Sequence, residues 1–294
     1  MGLISALTGP LEFELTRRAL LEVTLVGLAC GAVGLFVVLR GLSFIGDALA
    51  HCVVPGVVVG YLTRTSFELW GLFAAMVSAW GIGLLVRSRW LGTDASVAVV
   101  FTAMFALGLT MISATGSYFG DLTEILFGNI LAVDANDIVI SSGAAVIVLM
   151  VIVLLYRPLV LASFDPTSAT ALGLPLRVLD FILYGLLALA IVCGIAAVGS
   201  FLVTALLIVP AAAARLVTRG VKSQMLVSCG LGVLAGWLGL YASYYYPIAS
   251  GGAVVLAAVA LFGVTLLLSP RSGLSAVLAE RHLRRELHAA RPTV

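Results

Sequence analysis

The chain has 294 residues, of which 62% are hydrophobic and only 10% are charged, and its formal net charge is +2. Soluble domains carry about 25% charged residues, and a single water-soluble core would not repeat apolar runs of bilayer length from end to end. Together with a mean hydropathy of +1.19, this composition excludes a soluble protein. The nearly neutral charge gives no reason to expect a nucleic-acid partner.

Nine apolar runs follow one another along the chain, each long enough to cross a bilayer. They lie near residues 20–39, 42–62, 69–86, 95–114, 138–156, 181–198, 201–217, 226–244 and 253–268. Because the runs lack period-2 alternation, they predict helices and not the strands of a barrel. The first run follows a flank of mixed charge without a small-residue cleavage site, so we interpret it as a retained span.

The predicted fold is an all-α polytopic membrane protein, a bundle of about nine transmembrane helices. The count ranges from eight to ten because only Gly199 and Ser200 separate the sixth run from the seventh. Such a short connection is compatible with a tight hairpin, a broken helix or a re-entrant pair. The positive-inside rule predicts an outside N-terminus and a cytoplasmic C-terminus, since only Arg17, Arg18 and Arg64 of the sixteen basic residues then lie outside.

Asp47 and His51 are an aspartate and a histidine four residues apart within the second run, GLSFIGDALAHCVVPGVVVGYL. Residues four apart share one face of a helix, and ionisable groups inside a bilayer usually mark the path of an ion, proton or substrate. The alternative is that the two side chains pair with each other and only stabilise the bundle. Pro55 and Gly56, one turn further on, predict a kink or opening of the helix beside this pair.

Several other kinds of site find no support in the sequence. The four cysteines all fall in apolar runs without CxxC spacing, so neither a disulfide framework nor a thiolate metal cluster is expected. The chain lacks a phosphate-binding GxxxxGK[ST] loop, and Lys222 is its only lysine. It is therefore not expected to be an enzyme, and any ATP must be consumed by another polypeptide.

The segment between the fifth and sixth runs, residues 157–177, predicts a short capped helix on the cytoplasmic side. Asp165 and Pro166 suit the N-cap and first helical positions, and Gly173 suits the helix end. From the residues alone, two interpretations stand side by side. The helix is either an ordinary interfacial helix or a docking surface for a soluble partner that presents Ala169, Leu172 and Leu174.

Five segments together resemble one family, the membrane permease subunits of the ATP-binding-cassette importers for zinc, manganese or iron. In chain order they are LRGLSFIGDALAHCVVPGVVVGYL (39–62), EILFGNILAVDANDI (124–138), FDPTSATALGLP (164–175), VGSFLVTALLIVPAAAARLVTR (198–219) and SYYYPIASGGAVVLAAVALFGVTLLLSPRSGL (243–274). The likeness runs in order from the second span to the last.

The resemblance implies a bacterial cytoplasmic-membrane permease that pairs with a second permease chain, which we expect to be an identical copy. It also implies two cytoplasmic ATP-binding-cassette ATPase subunits, which hold the ATP, and an extracytoplasmic solute-binding protein that delivers the ion. Residues 1–274 would form the permease domain and residues 275–294 a basic cytoplasmic tail. The coupling helix in 157–177 would contact the ATPase through Asp165, Ala169, Leu172, Gly173 and Leu174.

By the same resemblance, Asp47 and His51 are the expected metal ligands. No permanently bound cofactor is implied, because the metal is the cargo. Zinc, manganese and ferrous iron all accept carboxylate and imidazole donors. One chain offers only two such donors in the membrane, so two chains would be needed for an N2O2 set. The alternative function is an ion-coupled secondary transporter, in which Asp47 and His51 relay protons without an ATPase.

Overall fold

A computed structural model describes residues 9–88, 91–115 and 134–269 of the chain. Within these ranges a 3-10 turn, Gly9–Glu12, precedes twelve α-helices. They are α1 (Glu14–Leu39), α2 (Ser43–Cys52), α3 (Val54–Thr63), α4 (Phe67–Arg87), α5 (Thr93–Thr115), α6 (Ala135–Leu154), α7 (Tyr156–Phe164), α8 (Pro166–Ala171), α9 (Leu176–Val198), α10 (Ser200–Val217), α11 (Val221–Tyr245) and α12 (Ser250–Leu268).

The predicted bundle of membrane-spanning helices is confirmed. In the described part of the chain, nine segments are long and apolar enough to cross a membrane, with α2 and α3 together forming the second, and none of these residues is in a strand. Most spans begin a few residues before the apolar run that predicts them. The reason is that polar residues such as Glu14, Asp94 and Asp137 occupy the first turn, where a carboxylate interacts favourably with the helix dipole.

Helix α1 is the central helix of the bundle, because it packs against α6, α9, α10 and α11. Glycines let its backbone approach its neighbours closely. A Cβ atom on Gly34 would lie 1.9 Å from the Leu207 carbonyl oxygen of α10, and one on Gly31 would lie 2.8 Å from the Cys229 Cα of α11. Small residues of this kind are the usual means by which membrane helices pack tightly.

The connection between α9 and α10 is a tight hairpin, which decides among the three predicted alternatives. Gly199 is the single residue between the two helices, and a Cβ on Gly194 would meet the Val203 side chain at 2.5 Å. Residues nine apart in a continuing helix would be about 13 Å apart, so the chain must reverse here. Gly199 has φ 89° and ψ 158°, a conformation that is essentially restricted to glycine.

We therefore expect Gly199→Ala to destabilise the bundle by about 1–3 kcal/mol, the usual cost of a strained backbone conformation. Thermal unfolding of the detergent-solubilised protein measures the effect. Gly230→Ala is the matched control, since a Cβ there meets open space within α11 and helical alanine is favoured over glycine. Equal unfolding temperatures for the two variants would contradict the argument.

Some sequence predictions fall outside the described residues. These are the cytoplasmic tail at 275–294, most of the segment EILFGNILAVDANDI, and the boundary of the permease domain at residue 274. At the end of that segment, the Asp134 backbone N–H donates to Asp137 Oδ2 at 2.9 Å, which forms a capping box at the start of α6. These two carboxylates therefore cap a helix.

Candidate metal pathway in the second span

Asp47 and His51 lie on α2, the first half of the second span. The span is divided at Val53, two residues before Pro55. Because proline has no N–H, the His51 carbonyl lacks the donor that a regular helix would supply. Gly56 has a packing role, since a Cβ on it would lie 2.2 Å from the Trp70 carbonyl oxygen of α4.

The side chains of Asp47 and His51 are both half-buried and neither is paired. Among the described residues the ion pairs are Arg18–Glu14, Arg40–Asp180 and Arg87–Asp180, and no hydrogen bond joins Asp47 or His51 to another side chain. The alternative interpretation, an i,i+4 contact that satisfies both groups, is thus not what the described chain forms. Unpaired ionisable groups inside a membrane are costly, and they are retained mainly at functional sites.

Two phenylalanines of α5 flank the imidazole of His51. The Phe101 ring lies edge-on to it with 5.8 Å between centroids, and the Phe105 ring does so at 6.1 Å. His51 and Phe101 each lie eight residues into their helices, which start from the same side, so both reach a depth of about 12 Å. The aromatic contacts hold the ring in place without using either ring nitrogen, which leaves both available to a ligand.

Sequence analysis missed Phe101 and Phe105 as neighbours of the site. A signal was present, because the two residues are four apart on one face of the span and stack on each other at 5.8 Å. The sequence does not show that α2 packs against α5, because the two helices are far apart along the chain.

The backbone that carries the pair is held closely by neighbouring helices. A Cβ on Gly46, next to Asp47, would lie 2.5 Å from the Leu207 side chain of α10. A Cβ on Gly108 of α5 would lie 2.8 Å from the Val54 side chain at the break between α2 and α3. Helix α10 therefore approaches the backbone of α2 closely at Gly46.

The described residues of one chain offer only part of a metal site. Nowhere in ranges 9–88, 91–115 and 134–269 do three or more His, Cys, Asp or Glu side chains come together in a geometry suited to a metal ion. Asp47 and His51 supply one carboxylate and one imidazole. Two donors can hold a divalent ion only weakly unless a further chain or water completes the coordination.

The predicted capped helix forms as α8 at the same end of the bundle as Asp180. The Asp165 side chain accepts hydrogen bonds from the Ser168 hydroxyl and from the Ser168 backbone N–H, the latter at 2.9 Å. These bonds lower the pKa of Asp165, so the charged cap is present at neutral pH and is lost only as the pH falls through that lowered pKa. Gly173 ends the helix with φ 77°, and the Leu174 N–H donates to the Ala169 carbonyl at 3.0 Å.

The prediction that α8 presents Ala169 at its surface is wrong. Ala169 is fully buried, because that side of the short helix packs towards α7 and α9. Leu174 is partly buried against the core, whereas Leu172 is 71% exposed. Leu172 is thus the large apolar side chain of the predicted set that a partner can reach.

Comparison with known proteins places the chain in a family. Residues 12–269 match the model of the ABC 3 transport family. The chain belongs to the ABC 3 transport family. Among similar curated proteins is the manganese transport system membrane protein MntC of Halalkalibacterium halodurans, 38% identical over 90% of each chain. Another is a probable iron transport system membrane protein of Haemophilus influenzae, 32% identical over 87% of this chain and 94% of that one.

One solved structure is similar to this chain in both fold and sequence. PsaBC from Streptococcus pneumoniae, determined in complex with Fab, gives a TM-score of 0.82 at 32% identity over 92% of this chain and 98% of that chain. As a membrane permease subunit of the ABC 3 transport family, the chain is not itself an enzyme, in agreement with its lack of a phosphate-binding loop. The family favours an ATP-driven importer over the ion-coupled alternative.

This ABC 3 permease also buries a carboxyl group that sequence analysis left unexamined. Glu22 of α1 is fully buried, and both of its carboxyl oxygens lack a hydrogen-bond partner in the described chain. Glu22 lies away from Asp47 and His51 along the chain and does not add a third donor to them.

Proposed function

We propose that the protein is the permease subunit of an importer that moves a divalent transition-metal ion, with manganese the first candidate, inward across the bacterial cytoplasmic membrane. The observation that carries the proposal is that Asp47 and His51 lie inside the second span without a hydrogen bond or ion pair to any other side chain of the described residues. Family membership supports the ATP-driven mechanism. The names of the relatives support manganese as the first candidate and iron as the second, since MntC is named for manganese and the Haemophilus relative for iron.

The proposed site contains the Asp47 carboxylate and the His51 imidazole from each of two permease chains. Two chains related by a twofold axis would bring two oxygens and two nitrogens to one ion, a donor set that manganese, ferrous iron and zinc all accept. Such a site suits transport, because an ion that is held too tightly cannot leave. The break at Val53 interrupts the span immediately beyond His51.

The proposed complex includes two cytoplasmic ATPase subunits that hold ATP and an extracytoplasmic protein that delivers the ion. With the N-terminus outside, α8 lies on the cytoplasmic side, where Leu172 can dock into an ATPase subunit. The Asp165 cap stabilises the start of this helix and the Gly173 turn stabilises its end. Because both ends are held, a displacement of α8 by the ATPase is expected to displace α7 and α9 and not to unwind α8.

The test of the function is metal-dependent ATPase activity in proteoliposomes that contain the permease, its ATPase and its solute-binding protein. We expect manganese to stimulate ATP hydrolysis and to accumulate inside, on the side opposite the binding protein. Zinc and iron(II), supplied separately at equal free concentration, identify the cargo if manganese does not. Hydrolysis that is insensitive to all three ions, with no ion accumulated, would overturn the proposal.

Docking through α8 gives a separate prediction. Leu172→Arg is expected to reduce copurification of the ATPase by at least about 10-fold, since a buried charge without a partner costs several kcal/mol at an interface. The permease itself should keep its thermal stability, because Leu172 is exposed in the isolated chain. Thr170→Ala, which changes an exposed residue of the same helix, is the control. Normal recovery of ATPase with Leu172→Arg would contradict docking at this residue.

A further inference from the structure

A cluster of charged side chains joins three spans and α7 at one end of the bundle. Arg40 Nη1 donates to Asp180 Oδ1 at 2.6 Å, and Arg87 Nη1 donates to Asp180 Oδ2 at 3.3 Å. Arg40 Nε also donates to the Ser163 hydroxyl at 3.0 Å. These four residues lie on α9, on α7 and at the ends of α1 and α4, and we call them the Arg40 cluster.

The Arg40 cluster is more than a surface ion pair. The side chain of Arg40 is only 11% exposed and that of Asp180 is 28% exposed. Arg40 Nη2 is buried and has no hydrogen-bond partner in the described chain. A cluster built only for stability would be expected to use every buried donor, because an unsatisfied one is costly. This arrangement leaves one donor of Arg40 free for a different set of contacts.

On one side, Arg40 is connected directly to the helix that carries Asp47. It caps the C-terminus of α1, and Gly41 follows with φ 68°. The Leu42 N–H donates to the Val37 carbonyl at 2.9 Å, which closes a Schellman turn, and α2 begins at Ser43. Asp47 lies one turn into α2. A displacement of the Arg40 backbone is therefore expected to displace the start of α2, because only the hydrogen-bonded turn at Gly41 and Leu42 separates them.

On the other side, Arg40 is connected to α8. Its partner Ser163 is the last residue but one of α7, and Phe164 then leads into Asp165, the N-cap of α8. The second partner, Asp180, lies in the first turns of α9, which begins five residues after α8 ends. The segments before and after α8 thus contact the same guanidinium group, the first through Ser163 and the second through Asp180.

We propose that the Arg40–Asp180 contact is a positioning contact that passes movement of α8 to α2, and so to Asp47 and His51. The inference rests on the proposed function, because it assumes that an ATPase moves α8. Coupling of this kind needs a physical element with two arrangements that both ends bias. The cluster is suited to this role, since Asp180 is shared between Arg40 and Arg87 and Arg40 Nη2, which has no partner in the described chain, allows a change of partner.

The experiment compares Asp180→Asn with Asp94→Asn in the reconstituted complex. Both variants remove one carboxylate charge, but Asp94 is exposed at the start of α5 and lies outside the cluster. Asp180→Asn should still assemble and hydrolyse ATP, while the amount of metal moved per ATP falls by at least about fivefold, within the 5- to 150-fold range typical of coupling between sites. Asp180→Glu, which keeps the charge, should restore part of the ratio, and Asp94→Asn should match the wild type.

A second readout does not depend on the cargo. A spin label at Phe44→Cys, an exposed position of α2, reports the distance between the two permease chains with and without trapped nucleotide. Cys229, which is partly accessible, is replaced by serine first. Nucleotide should change the distance in the wild type and in Asp94→Asn but not in Asp180→Asn.

The outcomes separate the two levels of inference. If metal stimulates no hydrolysis in the wild type but nucleotide still moves the label in an Asp180-dependent way, the proposed cargo fails and the coupling contact stands. An unchanged transport ratio and an unchanged label movement in Asp180→Asn would overturn the contact. So would a transport ratio that falls only in proportion to a loss of thermal stability.

Discussion

Asp47→Ala and His51→Ala are each expected to lower metal uptake by the reconstituted transporter by more than about 10-fold, since even residues that only support a metal ligand cost 10- to 100-fold when they are changed. The described chain gives neither side chain an internal partner, so their removal breaks no hydrogen bond or ion pair among the described residues. Both variants should therefore insert and assemble with the ATPase. Asp47→Ala should unfold at nearly the wild-type temperature, and His51→Ala somewhat below it, because the contacts of the imidazole with Phe101 and Phe105 are lost. Uptake of the cognate ion into proteoliposomes measures the effect.

Cys52→Ala is the matched control for this pair. Cys52 is adjacent to His51 on α2 and is fully buried, whereas His51 is half-buried. Its truncation removes only the sulfur atom, fewer atoms than either test variant removes, and it disturbs the same segment without removing a proposed metal ligand. We expect Cys52→Ala to keep most of the uptake. Wild-type uptake in both Asp47→Ala and His51→Ala would overturn the assignment of the site, whereas equal losses in all three variants would indicate a packing defect of α2.

Mixed complexes that contain one wild-type chain and one His51→Ala chain are expected to be almost inactive. The reason is that one chain supplies only two donors, so an ion on a shared axis loses part of its coordination when either chain is changed. Two affinity tags, one on each kind of chain, allow the mixed complex to be purified by successive steps. Uptake is then compared with complexes of two wild-type and two variant chains.

The design distinguishes a shared site from two separate ones. With separate sites, the mixed complex should keep about half of the wild-type uptake, whereas a shared site leaves less than about a tenth. A mixed complex of wild-type and Cys52→Ala chains controls for the effect of tagging and of pairing unlike chains. Half-maximal uptake in the His51→Ala mixture would show that each chain carries its own ion and would contradict the N2O2 proposal.

The sequence predicted what depends on local composition. Apolar runs were sufficient for the nine spans, and an Asp-Pro pair followed by Gly173 was sufficient for a capped α8. Asp47 and His51 stood out because an ionisable residue inside an apolar run is conspicuous wherever it packs. The form of the connection at Gly199 could not be predicted from the sequence, because the choice among the three forms depends on the contact between Gly194 and Val203.

What escaped prediction depends on which helices meet. Asp180 and Arg40 are 140 residues apart, so nothing local identified them as partners. The aromatic neighbours of His51 belong to α5, and the burial of Ala169 depends on how α8 lies against α7 and α9. Nearly uniform hydrophobicity around most spans removes the usual sign of which face turns inward. Tertiary packing alone decides these contacts.

The central position of α1 has a consequence for the order in which the protein is made. The helices that bury α1, namely α6, α9, α10 and α11, all follow it along the chain and are synthesised later. At 5–20 residues per second, α9 is complete on the order of 10 to 30 s after α1. Until these helices have followed, the Glu22 carboxyl lacks the enclosure that the complete bundle gives it. Burial of this carboxyl is therefore complete only after α11 has been made, so it depends on helices that are far from Glu22 along the chain.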